Sequence, residues 1–409
     1  MKFNDLNLSD PITRSLKDQG YEKPTPIQTE VIPAILNKSD VMAAAQTGTG
    51  KTAAFVLPIL SMLSNPKNNY KGHQLRALIL TPTRELAAQV RESVNTYSKY
   101  LSIRSTAVYG GARIHNQRLK LRKGVDVLVA TPGRLLDLYN QKAVNFKNIE
   151  LFVLDEADQM LDMGFIHDIK KIANLLPDRR QNLMFTATFS NPFRKLAKEM
   201  ADKAIEISVT TDGEAGENIE HYCHPVDKSR KAELLIELIE TQNWDQALVF
   251  TRTKHGADRL QKQLEKVEIS AKAIHGNKTQ NNRMKALEAF KNNRVKILVA
   301  TDVAARGIDI KKMSQVINFD VPTVAKDYIH RIGRTGRGGD KGKAITLVSA
   351  DEFRLLSDIE KLLGQKLERV EIEGFEPEHI VPAKEKQKPK NKKFHNRGGF
   401  TNRRRSRKG

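Results

Sequence analysis

The fold of this 409-residue chain is decided by the stretch Ala45-Gln46-Thr47-Gly48-Thr49-Gly50-Lys51-Thr52. It lies between two apolar runs, residues 41–44 and 53–60, which predicts a strand, a tight loop and a helix. The two glycines let consecutive N–H groups point inward around phosphate oxygens, and the helix adds its positive dipole end. Lys51 can then reach the outer phosphates, and the Thr52 hydroxyl can bind Mg²⁺. The stretch therefore predicts a nucleotide-binding loop, in which Ala45 replaces the usual first glycine.

The composition restricts the kind of partner and the compartment. The chain holds 69 Lys and Arg against 48 Asp and Glu, a net charge of +21, which predicts a polyanionic partner. No stretch approaches the roughly 18 apolar residues of a membrane span, and the first residues lack the apolar core of a signal peptide. One cysteine, Cys223, excludes an intrachain disulfide and a cysteine-rich zinc site. We therefore expect a cytoplasmic protein that binds nucleic acid and no membrane.

Apolar runs separated by helical stretches follow the loop. Such runs predict an α/β fold in which a parallel sheet carries helices on both faces and binds ligands at the carboxyl ends of its strands. One of these runs ends in Asp155 and Glu156. An aspartate there can hold Mg²⁺, and the neighbouring glutamate can orient or deprotonate the attacking water. The runs are residues 77–80, 125–130, 151–154 and 183–185.

An internal repeat determines the architecture. Residues 77–81, Ala-Leu-Ile-Leu-Thr, return 170 residues later at residues 247–251 as Ala-Leu-Val-Phe-Thr. Residues 127–131, Val-Leu-Val-Ala-Thr, return at the same separation at residues 297–301 as Ile-Leu-Val-Ala-Thr. Two recurrences at one separation indicate a second copy of the fold. At that separation the nucleotide loop falls on residues 215–222, which contain no Gly-Lys-Thr, so we expect only the first copy to bind nucleotide by such a loop.

The second copy carries three arginines, Arg331, Arg334 and Arg337, in the stretch His-Arg-Ile-Gly-Arg-Thr-Gly-Arg that begins at His330. Arginines at a spacing of three among glycines could form a solvated basic turn. Arginine fingers that reach a cleft shared by the two copies fit better, because the second copy has no nucleotide loop of its own.

Composition also predicts the domain boundaries. Residues 1–207 form the first domain, the polar and glycine-containing residues 208–218 a linker, and residues 219–383 the second domain. The tail, residues 384–409, holds 12 Lys and Arg against one Glu, with two interspersed phenylalanines. It cannot bury a core, so we expect a disordered basic tail that tethers RNA loosely rather than a merely solubilising one.

Taken together, these motifs resemble the DEAD-box RNA helicases over nearly all of residues 1–383. The Asp-Glu-Ala-Asp tetrad at residues 155–158 gives that family its name. One departure is Thr186-Ala187-Thr188, where Ser-Ala-Thr is usual. Threonine keeps the hydroxyl, so we expect the coupling between ATP hydrolysis and RNA to survive. The compact core and short basic tail resemble the bacterial RhlE-like branch. In family order the other motifs are residues 20–28 with Phe3 upstream, 45–52, 82–87, 110–111, 131–134, 300–309 and 330–337.

The resemblance implies two tandem RecA-like domains that close over ATP, Mg²⁺ and single-stranded RNA. The implied catalytic residues are Lys51, Asp155, Glu156, Arg334 and Arg337. The implied nucleotide-binding residues are Phe3, Tyr21, Gln28, residues 45–52 and Asp309, with Thr52 and Asp155 at the metal. The residues implied to couple hydrolysis to RNA are Asp158, Thr186, Thr188 and His330. The residues implied to contact RNA are Pro82, Arg84, Gly111, Thr131, Gly133, Arg134, Thr301 and Arg306.

Two functions remain open on these residues. The first is an RNA-dependent ATPase that separates short duplexes or remodels ribonucleoprotein; the second is an ATP-gated RNA clamp or annealer in which hydrolysis times release. The Gln28 motif and the tetrad argue against a DNA helicase. Contact with the RNA backbone implies little sequence specificity. We expect a monomer, and the resemblance leaves open ribosomal or RNA-decay proteins as partners.

Overall fold

A computed structural model of the chain describes residues 1–45, 48–64, 72–209, 219–305, 313–336 and 342–378. The strands in these residues are β1 Val41–Ala44, β2 Ala77–Leu80, β3 Ser105–Val108, β4 Val127–Ala130, β5 Leu151–Leu154, β6 Gln181–Thr186, β7 Ile205–Ser208, β8 Ile219–Pro225, β9 Ala247–Phe250, β10 Ala271–Ile274, β11 Ile297–Ala300, β12 Gln315–Asn318, β13 Gly342–Val348 and β14 Glu368–Arg369.

The helices surround these strands. They are α1 Asp10–Asp18, α2 Pro26–Leu36, α3 Lys51–Leu63, α4 Arg84–Tyr97, α5 Ile114–Arg122, α6 Pro132–Asn140, α7 Ala157–Asp162, α8 Ile166–Leu175, α9 Asn191–Met200, α10 Lys231–Thr241, α11 Lys254–Lys266, α12 Gln280–Lys291, α13 Asp302–Ala305, α14 Ala325–Ile332 and α15 Phe353–Leu363. Two short 3₁₀ helices, Phe3–Leu6 and Ala350–Glu352, complete the elements. Within the described ranges, none of the helices has the length and hydropathy that crossing a membrane requires.

The strands form two seven-stranded sheets, in the orders β3-β4-β2-β5-β6-β1-β7 and β10-β11-β9-β12-β13-β8-β14. The pairings between neighbouring strands are parallel. Both faces of each sheet are buried, as strand β2 illustrates: Ile79 belongs to one core cluster and Leu78 and Leu80 to the other. Apolar side chains on both faces of a strand require helices on both sides. The predicted α/β architecture of two tandem RecA-like domains is confirmed.

The two sheets correspond strand by strand, and the predicted repeat is part of this correspondence. Strands β2 and β4 match β9 and β11 in sequence separation and in sheet position. Strands β2 and β9 are followed by the same turn. Thr81 Oγ1 donates to the Thr83 carbonyl, and Thr251 Oγ1 donates to the Thr253 carbonyl. Thr83 and Thr253 then cap helices α4 and α11 by accepting a backbone N–H.

The separation of 170 residues does not extend to the nucleotide loop. Strand β8 occupies the sheet position of β1, so the counterpart of the loop is the connection from β8 to α10, residues 226–230, rather than residues 215–222. Residues 219–222 lie within β8 itself. The shift arises because the chain between β1 and β2 is longer than the chain between β8 and β9. Residues 226–230 contain no glycine, so the expectation that the second copy lacks such a loop stands.

The domain boundaries stay predictions. Strand β7 continues to Ser208, one residue past the predicted end of the first domain. Residues 210–218 of the predicted linker and the whole basic tail lie outside the described residues.

Candidate nucleotide and RNA site

The nucleotide loop has the backbone that its glycines predict. Gly48 and Gly50 have φ values of 91° and 93°, in the left-handed region that favours glycine. A Cβ at Gly50 would lie 2.4 Å from Gln28 Nε2, so the loop also needs glycine for space. Helix α3 begins at Lys51, directly after this turn. Gln46 and Thr47 lie outside the described residues.

Gln28 is fixed against the loop. Its buried side chain donates from Nε2 to the Gly50 carbonyl at 3.1 Å and accepts the Thr25 N–H on Oε1 at 3.0 Å. A primary amide has two donor hydrogens and two acceptor lone pairs, so each atom keeps one further bonding position. The structure therefore places an amide that can donate and accept next to the phosphate loop.

The two aromatic candidates lie in different environments. Phe3 is buried in the core of the first domain, 5 % exposed. Tyr21 is 45 % exposed, and its ring packs at a tilt against Tyr97 with 6.4 Å between the ring centroids. Of the two, only Tyr21 presents a large part of its ring to a ligand.

The lysine and the carboxylates meet at the carboxyl edge of the first sheet, because β1, β6 and β5 are neighbours there. Lys51 Nζ donates to the Thr186 carbonyl at 3.4 Å, and Ala45 N donates to the same carbonyl at 3.2 Å. Burial, and then the adjacent Glu156 carboxylate, raise the pKa of Asp155 to about 7, while Lys51 acts in the opposite direction. Glu156 has a left-handed backbone, φ 53° and ψ 50°, which costs a non-glycine residue about 1 kcal/mol or more.

These side chains fit a nucleotide with its cation. The site combines a loop whose two described glycines have a left-handed backbone with a buried lysine and a buried aspartate. Magnesium in nucleotide sites is usually held by one or two protein ligands together with phosphate oxygens, so Thr52 and Asp155 would suffice. The donor set therefore matches ATP with Mg²⁺.

One hydrogen bond joins the tetrad to the Thr-Ala-Thr segment, and a second lies within that segment. Asp158 Oδ2 accepts the Ala187 N–H at 3.0 Å, and Thr186 Oγ1 donates to the Thr188 carbonyl at 2.9 Å. Thr186 is fully buried at the end of β6. The structure thus brings Asp158, Thr186 and Thr188 together next to Lys51.

Of the three arginines in the motif, the two that the structure describes, Arg331 and Arg334, are buried and not solvated. Arg331 is 1 % exposed, and its guanidinium forms a bidentate pair with Asp302, with 2.8 Å between Nη2 and Oδ2. Arg331 Nη1 also donates to Asn318 Oδ1 at 3.1 Å. Arg331 is therefore an internal anchor and not a finger. Arg334 is 4 % exposed and lines a small pocket with His330, Asp302 and Phe250.

Three predicted residues of the second domain, Arg306, Asp309 and Arg337, lie outside the described residues. The structure consequently bears on Arg334 and His330 but not on these three.

Two of the predicted RNA residues of the first domain, Arg84 and Arg134, contact the loop at residues 110–112. Arg84, the first residue of α4, lies against Gly111: a Cβ there would come within 1.9 Å of Arg84 Nη1. Arg134 Nη1 donates to the Ala112 carbonyl at 3.1 Å.

Thr131 and Thr301 follow β4 and β11, the same position in each sheet. Pro82 is buried before α4, whereas Gly133 is exposed at the start of α6.

Sequence reasoning missed a contact between the two domains. Glu85, the neighbour of Arg84, accepts Gln280 Nε2 on Oε1 at 2.9 Å and pairs with Arg283 Nη2 through Oε2 at 3.0 Å. All three side chains are buried. Burial lowers the pKa of Arg283, and Glu85 opposes that shift. The available signal was the spacing of Gln280 and Arg283, which places both on one face of α12.

The loop, the carboxylates and the two sheets define an ATP-dependent protein built from two RecA-like domains. The DEAD/DEAH box helicase family matches residues 25–208, and the helicase conserved C-terminal domain matches residues 230–339. The chain belongs to the DEAD-box ATP-dependent RNA helicases, and it is accordingly an ATP-hydrolysing enzyme.

Individual relatives support the assignment. The chain is 41 % identical over 379 residues to the DEAD-box ATP-dependent RNA helicase RhpA of Helicobacter pylori, covering 93 % of this chain and 76 % of RhpA. It is 38 % identical to the ATP-dependent RNA helicase DbpA of Bacillus subtilis over 397 residues, 96 % of this chain and 81 % of DbpA. The fold resembles S. cerevisiae Dbp5 bound to RNA and ADP BeF3, with TM-score 0.80, 33 % identity, and 90 % and 95 % of the two chains covered.

Proposed function

We propose that this protein hydrolyses ATP in a cleft shared by its two domains and that closure of the cleft holds single-stranded RNA along the carboxyl edges of both sheets. Residues 1–207 and 219–383 are the two units that close, and residues 208–218 connect them. A strand that closure bends and grips tightly cannot stay in a duplex, so closure separates short duplexes locally or remodels ribonucleoprotein.

The observation that carries this proposal is the contact of Glu85 with Gln280 and Arg283. Glu85 follows Arg84, which lies against the Gly110–Ala112 loop expected to hold RNA. A buried pair of this kind forms only when α12 of the second domain reaches α4 of the first. Closure and the placement of Arg84 are therefore linked through adjacent residues of one helix.

In the nucleotide site, Thr52 and Asp155 would hold Mg²⁺, which would neutralise phosphate charge, and Glu156 orients the attacking water. Arg334, with Arg337, neutralises the charge that develops on the γ-phosphate as it is transferred. Gln28 selects adenine, and we expect Asp309 to bind the ribose. The hydrogen bond between Asp158 and Ala187, and the one between Thr186 and Thr188, support a role in transmitting the state of this site toward RNA.

The similarity to Dbp5 bound to RNA and ADP BeF3 supports this arrangement, because the match covers both domains of this chain. We propose that these glycines, threonine hydroxyls and arginines contact the phosphates and sugars of the bound strand and not its bases. We therefore expect little sequence preference. The assignment to the RhlE-like branch remains a prediction.

The test is steady-state ATP hydrolysis at saturating ATP, with and without single-stranded RNA or single-stranded DNA, beside separation of a short RNA duplex. We expect stimulation by RNA, little stimulation by DNA, and duplex separation that requires ATP. Lys51→Ala serves as the inactive control. Equal turnover with and without RNA would refute the proposal, and stimulation without duplex separation would leave an ATP-gated clamp instead.

A further inference from the structure

Helix α5 of the first domain carries an unusual concentration of positive charge. The chain from residue 113 to residue 123 contains five basic residues and no Asp or Glu. The net charge of residues 1–383 is +10 once the tail's +11 is removed from +21, so this segment equals half of it. We call Arg113, Arg118, Lys120, Arg122 and Lys123 the α5 basic face.

The helix is held rigidly while its basic side chains face solvent. Gln117 accepts the Tyr109 N–H at 3.2 Å and donates to the Tyr109 carbonyl at 3.0 Å, which fixes α5 to the end of β3. Leu121 is buried in the core. Arg113, Lys120, Arg122 and Lys123 are exposed, and Arg118 is partly exposed.

Ion pairing does not account for these charges, and helix stability accounts only for those in the last turn. Within the part of the chain that the structure describes, no carboxylate pairs with the α5 basic face. Arg104 adds a further positive charge by donating to the Lys123 carbonyl at 3.0 Å. Basic residues in the last turn stabilise a helix through its dipole, but Arg113 occupies the N-cap, where a cation is unfavourable.

The position of α5 connects this charge to the RNA site. The helix starts directly after the Gly110–Ala112 loop that Arg84 and Arg134 contact. From there it runs back for nine residues, about 14 Å, alongside the edge strand β3. Its last turn, with Lys120, Arg122 and Lys123, therefore lies well outside the central site.

We propose that the α5 basic face binds the phosphates of the RNA strand where it leaves the central site, and so extends the bound length of RNA along the edge of the first domain. This inference rests on the proposed function, because it takes the Gly110–Ala112 loop as an RNA contact. Flexible lysines and arginines on a rigid helix read phosphate charge and not base sequence, so the added affinity is independent of sequence and sensitive to salt.

The experiment compares two triple variants of the full chain. The first, Lys120→Gln with Arg122→Gln and Lys123→Gln, removes three charges from the last turn of α5. The control, Lys171→Gln with Lys195→Gln and Lys203→Gln, removes three exposed lysines from the other half of the same domain. RNA affinity and its salt dependence are measured with single-stranded RNA of about 5 and about 15 nucleotides, which bracket common single-strand site sizes.

For the longer RNA we expect the α5 variant to bind about tenfold more weakly and its log–log salt slope to fall by up to about 2, since each phosphate on a single strand contributes about 0.7. The shorter RNA should bind both variants like the unchanged protein and stimulate ATP hydrolysis equally. The control variant should retain the affinity and the slope for both lengths.

Three outcomes would overturn the inference. They are an equal loss of RNA affinity in both variants, a loss of affinity that is the same for short and long RNA, and no loss of affinity in the α5 variant. The last outcome would point to an acidic protein partner. Failure of RNA to stimulate the unchanged protein would instead refute the proposed function, so the two failures are distinguishable. Thermal unfolding of the variants excludes a folding defect, because exposed substitutions of this kind change stability little.

Discussion

Gln28 joins two parts of the nucleotide site through one amide. Its hydrogen bonds to Thr25 and Gly50 hold the start of α2 against the phosphate loop. A ligand that bonds to the remaining positions of the amide therefore acts on the loop as well. The proposed recognition of adenine would in this way be coupled to phosphate binding at a single residue.

Gln28→Ala should weaken ATP binding and narrow the preference for ATP over GTP, because alanine removes the donor and acceptor that match an adenine edge. The measurement is competition between ATP and GTP for the unchanged and variant proteins. Gln19→Ala, at an exposed glutamine after α1, is the matched control. An unaltered ATP-to-GTP ratio in Gln28→Ala would mean that another residue reads adenine.

Individual residues of the site were predictable where the pattern is local. Gly48, Gly50 and Lys51 are adjacent in sequence, and their conformation follows from the glycines themselves. Glu85 was not predictable as a domain contact, since its partner Gln280 lies 195 residues away and the interaction depends on how two domains meet. The structural role of Arg331 was not predictable either, because sequence spacing cannot show that its guanidinium pairs with Asp302.

At the scale of elements, the second domain replaces the nucleotide site with an internal ion pair. Lys231 begins α10 as Lys51 begins α3, in corresponding positions of the two sheets. Lys231 Nζ bonds to the buried Glu352 carboxylate, and Glu352 also accepts Arg252 Nη2 at 2.7 Å and the Val321 N–H at 3.2 Å. In the second domain the lysine at this position thus pairs with a carboxylate, whereas in the first domain we propose that it binds phosphate.

The repeat shows what sequence patterning can and cannot supply at this scale. The separation of 170 residues holds for β2 and β9, and also for β4 and β11, because the chain from β2 to β4 is as long as the chain from β9 to β11. It fails for the nucleotide loop, since insertions between β1 and β2 change the spacing while the sheet order is unaffected. Sheet position, and not residue spacing, therefore identifies Lys231 as the counterpart of Lys51.

Glu352→Gln should destabilise the second domain by about 3–5 kcal/mol, because it leaves the buried Lys231 ammonium without its counter-charge. Burial already lowers the pKa of Lys231, which Glu352 opposes. Urea unfolding measures the effect. Glu233→Gln, which alters an exposed pair with Arg230, should cost about 1 kcal/mol at most. A loss in Glu352→Gln no larger than in this control would contradict the assigned role.

A double-mutant cycle on Glu85 and Arg283 tests the contact between α4 and α12. Either Glu85→Ala or Arg283→Ala should lower RNA-stimulated hydrolysis, and the double variant should be little worse than either single one. The coupling expected for a buried pair is about 1–3 kcal/mol. Glu92→Ala, at an exposed glutamate on the same helix, is the control. Additive losses in the cycle would show that the two residues act independently.

At the scale of the whole molecule, more than half of the excess charge lies in the basic tail, residues 384–409. Deleting it should weaken RNA binding and flatten the salt dependence, because each single-strand phosphate that the tail neutralises adds about 0.7 to the log–log slope. Hydrolysis at saturating RNA should change little, because the tail lies outside both catalytic domains. Binding titrations at several salt concentrations provide the measurement. An unchanged slope would mean that the tail does not bind RNA.

The central claim is that the two domains share one hydrolysis site, with Arg334 of the second domain acting on ATP bound by the first. The most direct measurement is single-turnover ATP hydrolysis by the full chain carrying Arg334→Lys, beside Arg334→Ala, with RNA and ATP saturating. Lysine keeps the charge but not the planar fork that pairs two phosphate oxygens. The account predicts that both variants bind ATP, and that both lose at least about 10³-fold in rate. Near-normal hydrolysis by Arg334→Lys, with ATP binding and folding intact, would contradict it.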